Sequence, residues 1–232
     1  MFAMSKTVRM LFMVLSLAIP LAATAGDAFP GQAPSRSKMR TQEKVDSLFE
    51  KGDYERAMFI YKKELAPVGD KFAQYMVGYM HVAGKGVQAD TILASVWYRL
   101  SAERGNEEFV HVRDKLLAPM NDEQRARSDM LFVDLRRQMG DAVLISQLIQ
   151  EDTAVLRGRR GPTALSSPEF ERNNFRTPSA NFEDAAKRLE PRVDYLTQLI
   201  DSDETLSGNE RDTLSRALSD AQREIDAYYA SD

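Results

Sequence analysis

The chain has 232 residues, with 31 Lys plus Arg against 35 Asp plus Glu, two His and no Cys, for a formal net charge of -4. The absence of cysteine excludes disulfides, thiolate metal sites and a lipid-bearing N-terminal thiol, so any fold must rest on core burial. The mild acidity argues against nucleic acid as the main partner, because phosphate binding needs a basic surface.

The first element in chain order is a targeting signal. Lys6 and Arg9 precede an apolar run from Met10 to Ile19, and Ala23-Thr24-Ala25 then forms a small-x-small site before Gly26. This is the order of a cleavable secretory signal, and the run is shorter than the ~20 apolar residues of a membrane span. The expected mature chain therefore begins at Gly26, in the periplasm or outside the cell. Loss of Lys6 and Arg9 takes its formal charge from -4 to about -6. Residues 26–40 carry Pro30, Gly31, Pro34, Ser35 and Ser37 and read as a flexible leader.

From Thr41 to Leu156 the pattern is helical, and it repeats. Gly52-Asp53-Tyr54-Glu55-Arg56-Ala57 leads to Tyr61 and then Gly69-Asp70. About 37 positions on, Ala94 leads to Trp97-Tyr98 and then Gly105-Asn106, so that Ala57 falls on Ala94 and Tyr61 on Tyr98. The small alanine allows two helices to approach, and the aromatic four residues later lies on the same face. Before the second unit's Ala94, Ala73, Val77 and Met80 recur at helical spacing with Tyr75 and Tyr79 beside them. Gly84-Lys85-Gly86-Val87 then makes a turn, and Asp90 is placed to cap the next helix.

The segment from Ala73 through Gly84-Lys85-Gly86-Val87, Asp90 and Ala94-Ser95-Val96-Trp97-Tyr98 to Gly105 resembles a Sel-1-like repeat. Gly52 to Gly69 looks like the second half of a degenerate preceding unit. The resemblance covers about Asp46 to Glu108 and implies a tetratricopeptide-like stack of antiparallel helical hairpins used for protein–protein contacts. It implies a binding scaffold with no catalytic residue, no cofactor and no metal. Some exported members of the family take roles in regulating or assembling envelope polysaccharide and membrane proteins. Others are linked to β-lactam binding, which leaves a regulator and an envelope hydrolase acting on peptidoglycan or a β-lactam as alternative readings.

One clear repeat is too short a stack to stand alone. Phe109, Val112, Leu116 and Leu117 continue it, and Asn121 to Gln124 reads as a capping box opening a helix with Met130, Leu131, Val133 and Leu135. A further helix with Ile145, Leu148, Ile149 and Leu156 closes the expected repeat domain at residues 41–156. Residues 157–180, rich in Gly and Pro, read as a linker. Beyond it, Phe182, Ala186, Leu189, Val193, Leu196 and Ile200 follow the 4-3 spacing of a helical seam, with Pro191 expected to kink or restart the helix. Leu214, Leu218, Ala221, Ile225 and Tyr228 return after Gly208. The expectation for 181–232 is an antiparallel helical hairpin whose seam is covered by the repeats or by a second copy. The expected fold class is thus all-α.

Candidate chemistry is sparse. His81 and His111 lie on different helices, so no metal set or nucleophilic triad forms around them, and His81 is placed to cap a helix end. Glu103, Glu107 and Glu108 sit near Arg99 and Arg104 with the spacing of exposed helix pairs. Gly84-Lys85-Gly86 lacks the ending of a phosphate loop. The residues most suited to a protein partner are Tyr75, Tyr79, Trp97 and Tyr98, which otherwise form core, and the basic cluster Arg157, Arg159 and Arg160. Asp220, Glu224 and Asp226 offer that cluster an intramolecular counterpart.

Overall fold

The computed structural model describes residues 29–30, 36–158 and 178–230. The expected signal segment and most of the expected linker, Arg159 and Arg160 included, lie outside the described residues. All regular structure among the described residues is helical. The elements are α1 (Arg36–Glu50), α2 (Tyr54–Ile60), α3 (Lys71–Ala83), α4 (Thr91–Ser101), α5 (Glu107–Leu117), α6 (Asp122–Met139), α7 (Asp141–Gly158), α8 (Pro178–Ser202) and α9 (Gly208–Tyr229). A π turn at Tyr61–Leu65 and a 3-10 turn at Ala66–Val68 prolong α2, and a 3-10 turn at Ala102–Arg104 ends α4.

Local chemistry sets the boundaries. Asp70 accepts from the Ala73 amide, and Asp90 accepts from the amides of Ile92 and Leu93. Asn121 with Gln124, and Ser207 with Glu210, form reciprocal capping boxes that satisfy amides the helix itself leaves unpaired.

Two apolar cores result. The first joins α1 to α5, with Tyr61, Tyr75, Met80, Trp97, Tyr98 and Leu100 at its centre. The positions aligned at a spacing of about 37 in the sequence are buried alike: Ala57 and Ala94 are 0 % exposed, and Tyr61 and Tyr98 are 1 % exposed. Gly78 lets α3 lie directly on α4, since a Cβ there would sit 2.8 Å from the Tyr98 ring. The second core joins α7, α8 and α9 through Ile145, Ile149, Leu189, Leu196, Ala221 and Ile225, and Met139 packs against both cores.

From its sequence, α7 is expected to close the repeat domain at residues 41–156. In the fold its apolar side faces α8 and α9, so α7 covers the seam of the C-terminal hairpin from within the chain. Nor does α8 break at Pro191; it runs unbroken from Pro178 to Ser202. Arg188 and Arg192, one on each side of the proline, both bind Asp152 of α7 and hold the two halves of the helix in line. The leader is also shorter than expected. Helix α1 starts at Arg36, and Phe29, upstream of it, is 3 % exposed.

Candidate functional site

The aromatic residues expected to meet a partner are mostly interior. Tyr75, Trp97 and Tyr98 are 2 %, 4 % and 1 % exposed, so their rings are core rather than docking surface. Tyr75 stacks on Phe109 at 5.0 Å between centroids and lies 5.2 Å from Tyr98. Burial pushes the Tyr98 phenol well above its ordinary pKa, and its hydroxyl has no hydrogen-bond partner. Tyr79 alone of the four keeps a half-buried position at the surface. Arg157 turns back on its own chain: its Nε lies 3.4 Å from Glu224 and its Nη2 3.8 Å from Asp220, both on α9. His81 does not cap a helix end. It is buried, neither ring nitrogen has a partner, and burial holds its pKa below the usual histidine range.

The densest polar cluster joins the two helical groups, and the sequence does not announce it. Lys71, at the start of α3, is 0 % exposed. Its ammonium donates to the Leu100 carbonyl at 2.8 Å and to Glu103 Oε2 at 2.8 Å, and lies 2.9 Å from Asp141 Oδ1. Asp141, at the start of α7, is in turn bidentate with Arg104, through Nε at 2.9 Å and Nη2 at 3.0 Å, and accepts from the Tyr195 hydroxyl at 3.1 Å. Burial by itself raises the pKa of the Asp141 carboxyl; the Lys71 and Arg104 charges override it and hold the group below the ordinary aspartate value. Glu103 also takes the Asp141 amide at 3.1 Å and Arg136 at 3.3 Å, and Arg136 reaches on to Asp203. Glu103 is therefore not one of a set of exposed helix pairs: its partners come from α3, α6 and α7. Arg99 pairs instead with Asp129.

Phe29 closes this junction. The Arg104 guanidinium sits 4.0 Å from its ring centroid, Tyr195 meets it edge-on at 6.4 Å, and a Cβ on Gly69 would lie 2.6 Å from it. The next residue's carbonyl, that of Pro30, accepts from Arg192 Nε at 3.2 Å. A cleft of about 360 Å³ opens beside the cluster, lined by Pro30, Glu103, Arg104, Tyr195, Gln198 and Leu199. Each Asp141 oxygen already serves two donors, and each proton of the Lys71 ammonium has an acceptor. The arrangement holds charge in place; neither group has a proton or lone pair left over for a bound substrate. Among the described residues no group of three or more His, Asp or Glu side chains is placed to hold a metal ion.

The surface carries a different candidate. Helix α6 buries only Ser128, whose hydroxyl meets that of Ser95 on α4 at 2.7 Å. Its other side exposes Met130 at 68 % and Val133 at 44 %. With Ala126 and Arg137 these form one stripe at i, i+4, i+7 and i+11, which lies along a single helix face. The sequence reading counts Met130 and Val133 among the apolar residues of this helix, but periodicity cannot say that this side would be left uncovered. No family, curated protein or solved structure matches the chain. No helix among the described residues is long and apolar enough to cross a membrane.

Proposed function

We propose that the chain is an exported, Sel-1-like helical-repeat scaffold of the cell envelope that presents the outer face of α6 to a protein partner. The observation that carries this reading is the exposed Met130–Val133 stripe on a helix whose opposite side is anchored to α4. An apolar stripe rimmed by charge is the composition of a protein interface. The repeat assignment draws support from the matched burial of Ala57 with Ala94 and Tyr61 with Tyr98, and from the Gly78–Tyr98 contact. Export draws support from the order of charge, apolar run and small-residue site ahead of Gly26. Of the residues first singled out for a partner, Tyr79 and Arg157 keep solvent-facing atoms, Tyr79 beside Phe49 and Lys85 and Arg157 against α9.

The test is an affinity capture from an envelope extract, with the chain from Gly26 onward as bait and mass spectrometry as the readout. A Met130→Asp/Val133→Asp bait serves as the control, after circular dichroism has shown its helicity unchanged. The wild-type bait should retain a defined protein that the variant loses. Equal recovery by both baits removes α6 from the interface.

A further inference from the structure

Lys85 sits at the mouth of an aromatic cup. Its Nζ lies 4.5 Å from the Tyr54 ring centroid, 4.9 Å from that of Phe49 and 5.5 Å from that of Tyr79. The three rings come from three elements: the last turn of α1, the first turn of α2 and the body of α3. They meet at steep angles, 67° between Phe49 and Tyr54 and 52° between Phe49 and Tyr79, so they form walls rather than a stack. All three rings and Lys85 are half-buried, which leaves the cup open to solvent on one side. No carboxylate among the described residues pairs with Lys85. Desolvation lowers the pKa of its ammonium, and the Tyr54 and Tyr79 hydroxyls more than offset this, leaving it raised.

The cup is also fixed in shape. The turn that carries Lys85 is pinned to α2, because the backbone of Gly86 lies so close to Tyr54 that a Cβ would stand 2.3 Å from the Tyr54 carbonyl oxygen. The Lys85 amide donates to the Met80 carbonyl at 3.0 Å. The lysine stem itself is a flexible chain that can swing out without moving that backbone.

The dimensions also admit a larger cation than a bare ammonium. An N–C bond of about 1.5 Å and a methyl-to-ring contact of about 3.5–4.0 Å together place a quaternary nitrogen about 5 Å from each ring. The observed distances of 4.5 to 5.5 Å bracket that spacing. An ammonium with only hydrogens on nitrogen is able to sit closer. Quaternary ammonium groups are the cations that aromatic cages recognise best, since they are attracted to the ring faces and lose little hydration.

We infer that Phe49, Tyr54 and Tyr79 form a binding site for a quaternary ammonium group, held closed in the free protein by Lys85. The site is separate from the α6 face and does not depend on the scaffold reading. Lys85 competes as a tethered ligand with an effective concentration on the order of millimolar, so it sets a threshold that an incoming cation must exceed.

Choline chloride is the probe, titrated into the full mature chain and followed by the NMR shifts of the tyrosine ring protons. Lys85→Ala should bind choline saturably, with a Kd on the order of millimolar, and about twofold more tightly than wild type, the gain expected on removing a competitor whose effective concentration is close to its own dissociation constant. Lys85→Gln gives the same comparison if the alanine variant fails to fold. Adding Tyr54→Leu, which keeps the bulk and removes one π face, should abolish the shifts. The neutral isostere 3,3-dimethyl-1-butanol should not bind. Co-sedimentation of Lys85→Ala with phosphatidylcholine vesicles assigns the group to a lipid headgroup; choline binding without co-sedimentation assigns it to a free small molecule. The inference is overturned if folded Lys85→Ala shows no saturable choline binding, or if the neutral isostere binds equally well.

Discussion

Replacing Asp141 with Asn tests whether the junction cluster holds the two helical groups together. The side chain is 1 % exposed and each of its oxygens accepts two hydrogen bonds, from Lys71, Arg104 and Tyr195. Asparagine keeps the shape but must turn an NH2 toward two of those donors, whichever way it is oriented. It also leaves Lys71 and Arg104 with less compensating charge in a water-free site. Removing one partner from a buried ion pair costs about 3–5 kcal/mol, and Asp141→Asn should fall in that range at pH 7 in urea unfolding followed by circular dichroism. The wild-type protein should also carry an acid-sensitive component. The folded-state pKa of Asp141 lies below its ordinary value of 3.8, so its contribution is complete above that value. It is lost as the pH falls below 3.8 and through the lower folded-state pKa. The variant should lack this component, and its stability should fall less steeply than that of wild type over the same acid range. A loss below about 1 kcal/mol at pH 7, or an acid limb of unchanged slope, would refute the idea that this cluster ties the groups together.

Gly86→Ala and Gly105→Ala form a matched pair: both residues have positive φ, +66° and +72°, but only Gly86 is pressed against another segment. Gly105→Ala should cost about 1–2 kcal/mol from backbone strain, and Gly86→Ala a further 1–3 kcal/mol or so from the clash with Tyr54, measured by thermal unfolding. Trp97→Ala should cost about 3–5 kcal/mol, because the indole is 4 % exposed in the first core; wild-type-like unfolding of that variant would contradict its place there. Expressed in a Gram-negative host, the protein should mature to a chain beginning at Gly26, and N-terminal sequencing that finds Met1 in the cytosolic fraction argues against export.

The helices and most of their ends, the start of α1 and the run through Pro191 excepted, were legible in the sequence because their signals are local. Asp90 and the Asn121–Gln124 pair cap where their spacing to the next apolar run says they should. The seam positions Ala186, Leu189, Leu196, Ala221 and Ile225 are buried as their spacing implies. The partnering of α7 was not legible: Ile145 and Ile149 reveal which side of the helix is apolar but not which helix will cover it. The junction was hidden for a related reason. Lys71, Glu103 and Asp141 are each ordinary surface residues by type, and their partners lie 29 to 70 positions away in sequence. Phe29 stood in a polar, proline-bearing stretch with no periodicity to mark it as core. For Lys71 one signal was available, a single lysine at the head of an otherwise apolar helix directly after a capping aspartate.

The junction also bears on how the chain tolerates insertion. Helical arrays grow by duplicating a unit, and each added helix displaces its downstream neighbours by roughly 10 Å. A hairpin inserted between α6 and α7 would carry Asp141 out of reach of Lys71 and Arg104, which it now meets at 2.9 Å. On the opposite flank, Phe29 and Pro30 wedge the segment ahead of α1 against Arg104 and Arg192. Extra units on that side would draw this wedge away from its seat. A hairpin inserted on either side would therefore break the contacts of Asp141 with Lys71 and Arg104, or unseat Phe29 from Arg104.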